Sequence, residues 1–267
     1  MRKLIVLLMV AAMCSIAVAA PDWTNGSGDG LWTNGANWVG GNAPGTGGAD
    51  NWPAIHGQAV GPTVNATTAY QWIVQHGIYG NQPGALLVTH NGNFQCNEYW
   101  LGSQNDTYND AVITIEAGWL QANKFMIGKD QSGRVDISGG IMSAYNAGNE
   151  LLVGASGDWS RGKINITGNG DVRADTLIMN TSAYQHDSRI LINDSGVLKL
   201  RGDQTGAGTN LMTYIGNGWI YTSDAGNTIS AVYDGTWNET VVTSVVIPEP
   251  ATVILLSLGG LLLRRKK

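Results

Sequence analysis

Between Ala85 and Leu200 the chain repeats one phrase: two apolar residues at alternate positions, then a glycine three or four residues later. Ile113 and Ile115 lead to Gly118, Val135 and Ile137 to Gly140, Ile164 and Ile166 to Gly170, and Ile190 and Ile192 to Gly196. Leu86 and Val88, followed by Gly92, form an earlier and looser copy. Apolar residues at period 2 closed by a glycine turn predict a strand with one buried face. A second apolar triplet often follows before the next turn: Tyr99-Trp100-Leu101, Phe125-Met126-Ile127 and Leu151-Leu152-Val153, each closed by glycine. Thr176-Leu177-Ile178 takes the corresponding place in the fourth unit. Val88, Ile115, Ile137, Ile166 and Ile192 lie 27, 22, 29 and 26 residues apart. Recurrence at roughly 20–50 residues is the mark of a solenoid, propeller or array. The pattern therefore predicts an all-β chain whose residues 85–204 form a parallel β-solenoid of about five coils. The alternative is a β-sandwich, in which strands near this spacing pair as ordinary hairpins.

The flanks read differently. Residues 20–84 are rich in Gly, Asn, Pro and Trp and echo themselves in Trp23-Thr24-Asn25-Gly26 and Trp32-Thr33-Asn34-Gly35. Asn-Gly pairs favour tight turns with positive φ. This is a turn-dense β region with Gln71 to Val74 as its best strand. Residues 205–246 lose the period and end in Thr240-Val-Val-Thr-Ser-Val-Val246, which suits a β cap over the open end of a stack.

Composition supports the same class: 37 glycines and 13% charged residues exclude a coiled coil or helical bundle. At the start, Arg2 and Lys3 precede an apolar run from Leu4 that fades into the small residues Ala17-Val18-Ala19. Residues 1–19 thus read as a signal peptide cut by signal peptidase after Ala19. At the other end, Ile247-Pro248-Glu249-Pro250 leads into thirteen uncharged residues, Ala251 to Leu263, and then Arg264-Arg265-Lys266-Lys267. A helix of that length spans roughly 20 Å, short of the roughly 30 Å hydrocarbon core. The four cations hold the tail on the cytoplasmic side, which places the body across the membrane.

Residues 247–267 resemble the PEP-CTERM sorting segment of Gram-negative bacteria: Pro248-Glu249-Pro250, a short apolar transmembrane helix and a terminal basic cluster, in that order. The resemblance covers about 21 residues of the chain. It implies recognition by an exosortase, processing near Pro248–Pro250, transient anchoring in the inner membrane and delivery to the cell surface or beyond. It also implies a setting of exopolysaccharide and biofilm matrix, and says nothing of the body's own activity.

Without its two ends the body holds 9 basic and 19 acidic residues, a net charge of −10, and its first cation is Lys124. Polyanion binding draws on cations that release counterions. The charge balance therefore speaks against nucleic acid as a partner, and against an acidic polysaccharide unless a divalent ion bridges the two. Cys96 is the one cysteine left in the mature chain, which therefore has no internal disulfide.

Candidate chemistry is sparse. His56, His76, His90 and His186 are scattered without metal-ligand spacing, and no metal, cofactor or nucleophile signature is present. Asp136, Asp171, Asp175, Asp187 and Asp194 occur in successive units with Arg173 and Arg189 nearby, the ingredients of a polysaccharide-cleaving β-helix. They occupy different phases of the repeat, so they are expected on different faces, as turn caps and solubilising groups. Trp23, Trp32 and Trp38 either close the N-terminal region as buried bulk or stack on sugar rings as a glycan platform. The expectation is a non-enzymatic, exported surface or matrix protein with a structural or adhesive role, exopolysaccharide being a possible partner. The alternatives are a polysaccharide lyase or glycosidase on the same stack, or a carbohydrate-binding module.

Overall fold

The computed structural model describes residues 21–45, 52–55, 61–77, 84–102, 111–154, 160–180 and 188–247. Three flat faces wind around one axis, joined at three corners, and each coil lies on the one before it in parallel register. Face one is a seven-stranded sheet: Thr63–Val64, Ala85–Val88, Ala111–Ile115, Ser132–Ile137, Arg161–Ile166, Arg189–Ile192 and Ile220–Tyr221. The long strands Asn93–Leu101 and Trp119–Ile127 cross two faces, which joins faces two and three into one eleven-stranded sheet. Face two continues through Ile141–Ala144, Asp171–Ala174 and Val197–Arg201; face three holds Ala54–Ile55, Gln71–His76, Glu150–Val153 and Thr176–Met179.

The repeated aliphatic pairs form the ladders that the period predicts. Val88, Ile115, Ile137, Ile166 and Ile192 are register partners in unbroken sequence along face one, each at most 1% exposed. Neighbouring strands are about 4.8 Å apart, so every methyl group meets the same kind of group above and below. Phe94, Leu120, Met142, Val172 and Leu198 make the matching row inside face two. Tyr99, Phe125, Leu151 and Leu177 make the one inside face three. The rows meet in a single buried column. The fourth triplet is shifted by one residue from its expected phase: Leu177 and Met179 point inward, and Ile178 is 40% exposed.

Glycine recurs because the corners leave no room for a side chain. Gly128, at the corner after face three, has φ +68°, and a Cβ there would collide with the carbonyl of Arg161 in the next coil. Its counterparts in the flanking coils, Gly102 and Gly154, share the left-handed backbone at +71° and +75°. A different device holds the bend between faces two and three. Asn97, Asn123 and Asn149, 26 residues apart, stack as an amide ladder: Asn123 Nδ2 donates to Asn97 Oδ1 at 2.9 Å, and Asn149 Nδ2 donates to Asn123 Oδ1 at 3.3 Å.

Both flanks differ in part from expectation. The stack begins before residue 85: Thr63–Val64 and Gln71–His76 pair in parallel with the first repeat, forming a further coil. Small, turn-forming side chains hide the period there, but the strand Gln71–His76 contains the expected Gln71–Val74. The C-terminal cap holds a helix, Asn210–Gly216, N-capped by Thr209, as well as strands. Its hairpin, Asn227–Asp234 and Glu239–Val246, adds to Val197–Arg201 in antiparallel sense and ends the parallel stack of face two.

Candidate functional site

The three tryptophans of the N-terminal echo are core. Trp23, Trp32 and Trp38 are 1%, 1% and 2% exposed, and their rings interlock edge to face, Trp23–Trp38 at 5.0 Å and Trp32–Trp38 at 4.7 Å. Trp32 goes on to meet Phe94, the first ring of the face-two row, at 4.7 Å. Trp38 Nε1 donates to the Trp32 carbonyl at 2.9 Å. The rings plug the first end of the column, so the glycan-platform reading of these residues is overturned: no ring face is open to a sugar. Asn25, Ser27, Asp29, Asn34 and Asn37 knit the loops over them through side-chain hydrogen bonds. Those bonds hold the Asp29 carboxyl well below the usual carboxylate range, the Leu31 amide first and the Asn34 and Asn37 amides next.

Among the described residues the exposed indoles are Trp52, Trp72, Trp119 and Trp237. Trp52 meets the half-buried Trp100 edge to face at 6.2 Å on face three. The Trp100 Nε1 donates to Glu98 at 2.7 Å, and Lys129 Nζ sits 3.5 Å from its ring centroid. Both ring contacts are thus already taken by the protein. Trp100 is followed in register by Met126, Leu152 and Ile178, and beside that apolar row runs the alternating row Glu98, Lys124, Glu150, closed by a Lys124–Glu150 ion pair at 2.8 Å.

The acids do not all scatter. Asp171 and Asp175 are gathered on the outside of face two with Arg173, Lys199 and Arg201, a correction to the reading that the repeat keeps the acids on separate faces. Asp171, Arg173 and Asp175 stand at alternate positions along one strand and its end, so period 2 turns all three outward, and Lys199 and Arg201 follow at the same phase in the next coil. Arg173 Nη2 lies 2.6 Å and Lys199 Nζ 3.2 Å from Asp171 Oδ2. Arg201 pairs with Asp175, donates to the Tyr145 carbonyl at 2.8 Å and lies 4.8 Å from that ring's centroid. The Tyr145 hydroxyl donates to Glu239 at 3.3 Å. Burial, and then the Glu239 charge, push the Tyr145 phenol up. Tyr145 and Glu239, 94 residues apart, carried no sequence signal for this role.

Beside Asp175 a cleft of about 280 Å³ opens between Leu177, Leu200 and the cap residues Gln204, Thr209, Asn210 and Leu211. Three acids face three bases here, and each carboxylate is committed to a partner: Asp171 to two cations, Asp175 to Arg201 and the Gly148 amide, and Glu239 to Tyr145. Charge-assisted bonds of this kind fix position strongly. Glu239 stands opposite Arg201 in the hairpin register, so the cluster bolts the C-terminal cap to the stack.

The remaining sequence candidates separate. Asp136 lies on face one against Arg134 and Asn165, while Asp194 sits in a turn with φ +53°. Cys96 is buried in the column, its thiol pushed well up by burial. His76 is buried, with Nδ1 3.1 Å from the Tyr99 hydroxyl. Asp187, His56, His186 and the C-terminal Pro248, Glu249, Pro250, Arg264, Arg265, Lys266 and Lys267 lie outside the described residues. No protein-family model, curated protein or solved structure matches the chain.

Proposed function

We propose that this chain is an exported, surface-sorted matrix protein that works as a rigid post, presenting rows of identical or compensating side chains at strand spacing. The observation that carries this reading is the outward regularity of a stack whose interior is a continuous, predominantly aliphatic and aromatic column. Amide, charge and apolar rows repeat coil by coil on the outside, and both ends of the column are plugged. Asp171 and Asp175 are consumed in ion pairs within the stack and Glu239 in the contact with the cap, which favours presentation over turnover and weighs against an acid–base pair for the lyase or glycosidase alternative at that cluster.

The sorting half of the proposal rests on the two terminal sequences: a signal peptide ending at Ala19, and a Pro248-Glu249-Pro250 segment followed by a short apolar run and four cations. Signal peptidase and an exosortase-like enzyme are its processing partners. Mass spectrometry of the C-terminus in each subcellular fraction tests it. A chain ending near Pro248–Pro250 in the surface or medium fraction is the expected result. A chain with Lys267 intact in the cytosol overturns it.

A further inference from the structure

The nine cations of the body are not evenly compensated. Lys124, Lys129, Arg134, Arg173, Lys199 and Arg201 each lie against a carboxylate. Lys163 and Arg189 have no carboxylate partner among the described residues, and these two are register neighbours on the outside of face one. On the other side of Lys163 the register partner is Arg134. Three cations therefore stand in one row on adjacent strands, within about 10 Å. Like charges directly opposite each other destabilise a sheet. On face three the described charges alternate in sign, and on face two the opposed pair Arg173 and Lys199 shares the Asp171 carboxylate between them.

The next row along face one differs in kind: Thr114, Asp136, Asn165, Leu191 and Tyr221 follow one another in register. It sets hydroxyl, amide and phenol groups beside the cations, together with the Asp136 carboxylate that pairs with Arg134, and the Tyr221 ring is 38% exposed. We infer that this face is a binding track for a linear acidic polysaccharide, its carboxylates on Lys163 and Arg189, with Arg134 already held by Asp136, and its hydroxyls and ring faces on the neighbouring row. Polysaccharide fits better than nucleic acid. A duplex carries one charge per about 1.7 Å, a density that Lys163 and Arg189 cannot match on a body of net charge −10. A polymer with spaced carboxylates and many hydroxyls meets both rows. The charge balance that speaks against acidic polysaccharide counts cations and takes no account of their clustering. The inference deepens the matrix proposal and relies on it only for where the polymer is met.

The test is affinity electrophoresis and calorimetry of the purified protein with polygalacturonate at 20–200 mM NaCl, with a chelator present. Neutral dextran and a single-stranded oligonucleotide serve as comparison polymers. Retention by polygalacturonate is expected, with log K falling against log salt at a slope of about −2. Lys163→Gln and Arg189→Gln should each weaken binding about tenfold while raising the thermal midpoint, because each also relieves like-charge repulsion. Polygalacturonate binding no stronger than dextran, binding lost with chelator, or Gln variants that bind like wild type would each overturn the track. Equal or tighter binding of the oligonucleotide would overturn the polysaccharide assignment. None of these outcomes bears on C-terminal processing, so the sorting proposal stands or falls separately.

Discussion

Acidification should weaken this fold through one side chain, His76. The imidazole is fully enclosed, and burial holds its pKa down from 6.5 to about 4. The native protein therefore keeps it neutral, with Nδ1 against the Tyr99 hydroxyl, itself pushed well up by burial and un-ionised. In the unfolded chain the same group takes up a proton as pH falls through 6.5. The unfolded state then binds more protons, so stability falls as pH drops. The loss begins below about pH 6.5, grows until about pH 4 and then stops, because the native state is protonated too. Each pKa unit corresponds to about 1.4 kcal/mol, which gives a loss of about 3 kcal/mol over the window. The assay is urea unfolding at a series of pH values for wild type and His76→Gln, which keeps a partner for Tyr99. The wild-type curve should fall more steeply than the variant's between pH 6.5 and 4. Parallel curves, or an NMR titration of His76 centred near 6.5, would refute the reasoning.

Other consequences are equally specific. Ile137→Ala removes a methyl-rich rung from the face-one ladder and should cost about 2–5 kcal/mol in chemical denaturation, whereas Thr114→Ala on the outside of the same sheet should cost under about 1 kcal/mol. Gly128→Ala combines a left-handed backbone with a collision against the Arg161 carbonyl. It should destabilise by more than about 2 kcal/mol, while Gly202→Ala, with φ +75° but open space around it, should cost about 1 kcal/mol, both read from thermal midpoints. Asn123→Ala breaks both links of the amide ladder and should cost about 1 kcal/mol at this exposed corner, with faster hydrogen exchange at the bend as a second readout. Arg201→Met should loosen the C-terminal hairpin and speed proteolysis there before the rest of the stack is affected.

What the sequence revealed follows from where its period is written. The face-one ladder was legible residue by residue, because Val88, Ile115, Ile137, Ile166 and Ile192 must all be large and aliphatic to fill the column. The asparagine ladder was equally periodic at 26 residues, yet amides in a loop-rich chain do not stand out by hydropathy. The N-terminal coil was hidden because its strands are only two to six residues long and its bulk comes from Trp23, Trp32 and Trp38 rather than from an alternating pattern. The bolt on face two was unreadable in principle: Tyr145, Asp175, Arg201 and Glu239 meet only because three coils and a reversed hairpin converge. The cationic row on face one lay between these cases. Arg134, Lys163 and Arg189 each sit one residue before an inward Val or Ile of the repeat, so aligning the units on their aliphatic pairs would have stacked them.

Distances between nitroxide labels on the outside of face one address the stacked register most directly. Leu87 is followed in register by Thr114, Asp136, Asn165, Leu191 and Tyr221. With one label at Leu87→Cys and the second at Asn165→Cys, Leu191→Cys or Tyr221→Cys, pulsed electron resonance should read separations near 14, 19 and 24 Å, one strand spacing more per coil. Separations that fail to increase by about 5 Å from each pair to the next would mean that these strands are not neighbours in one parallel stack.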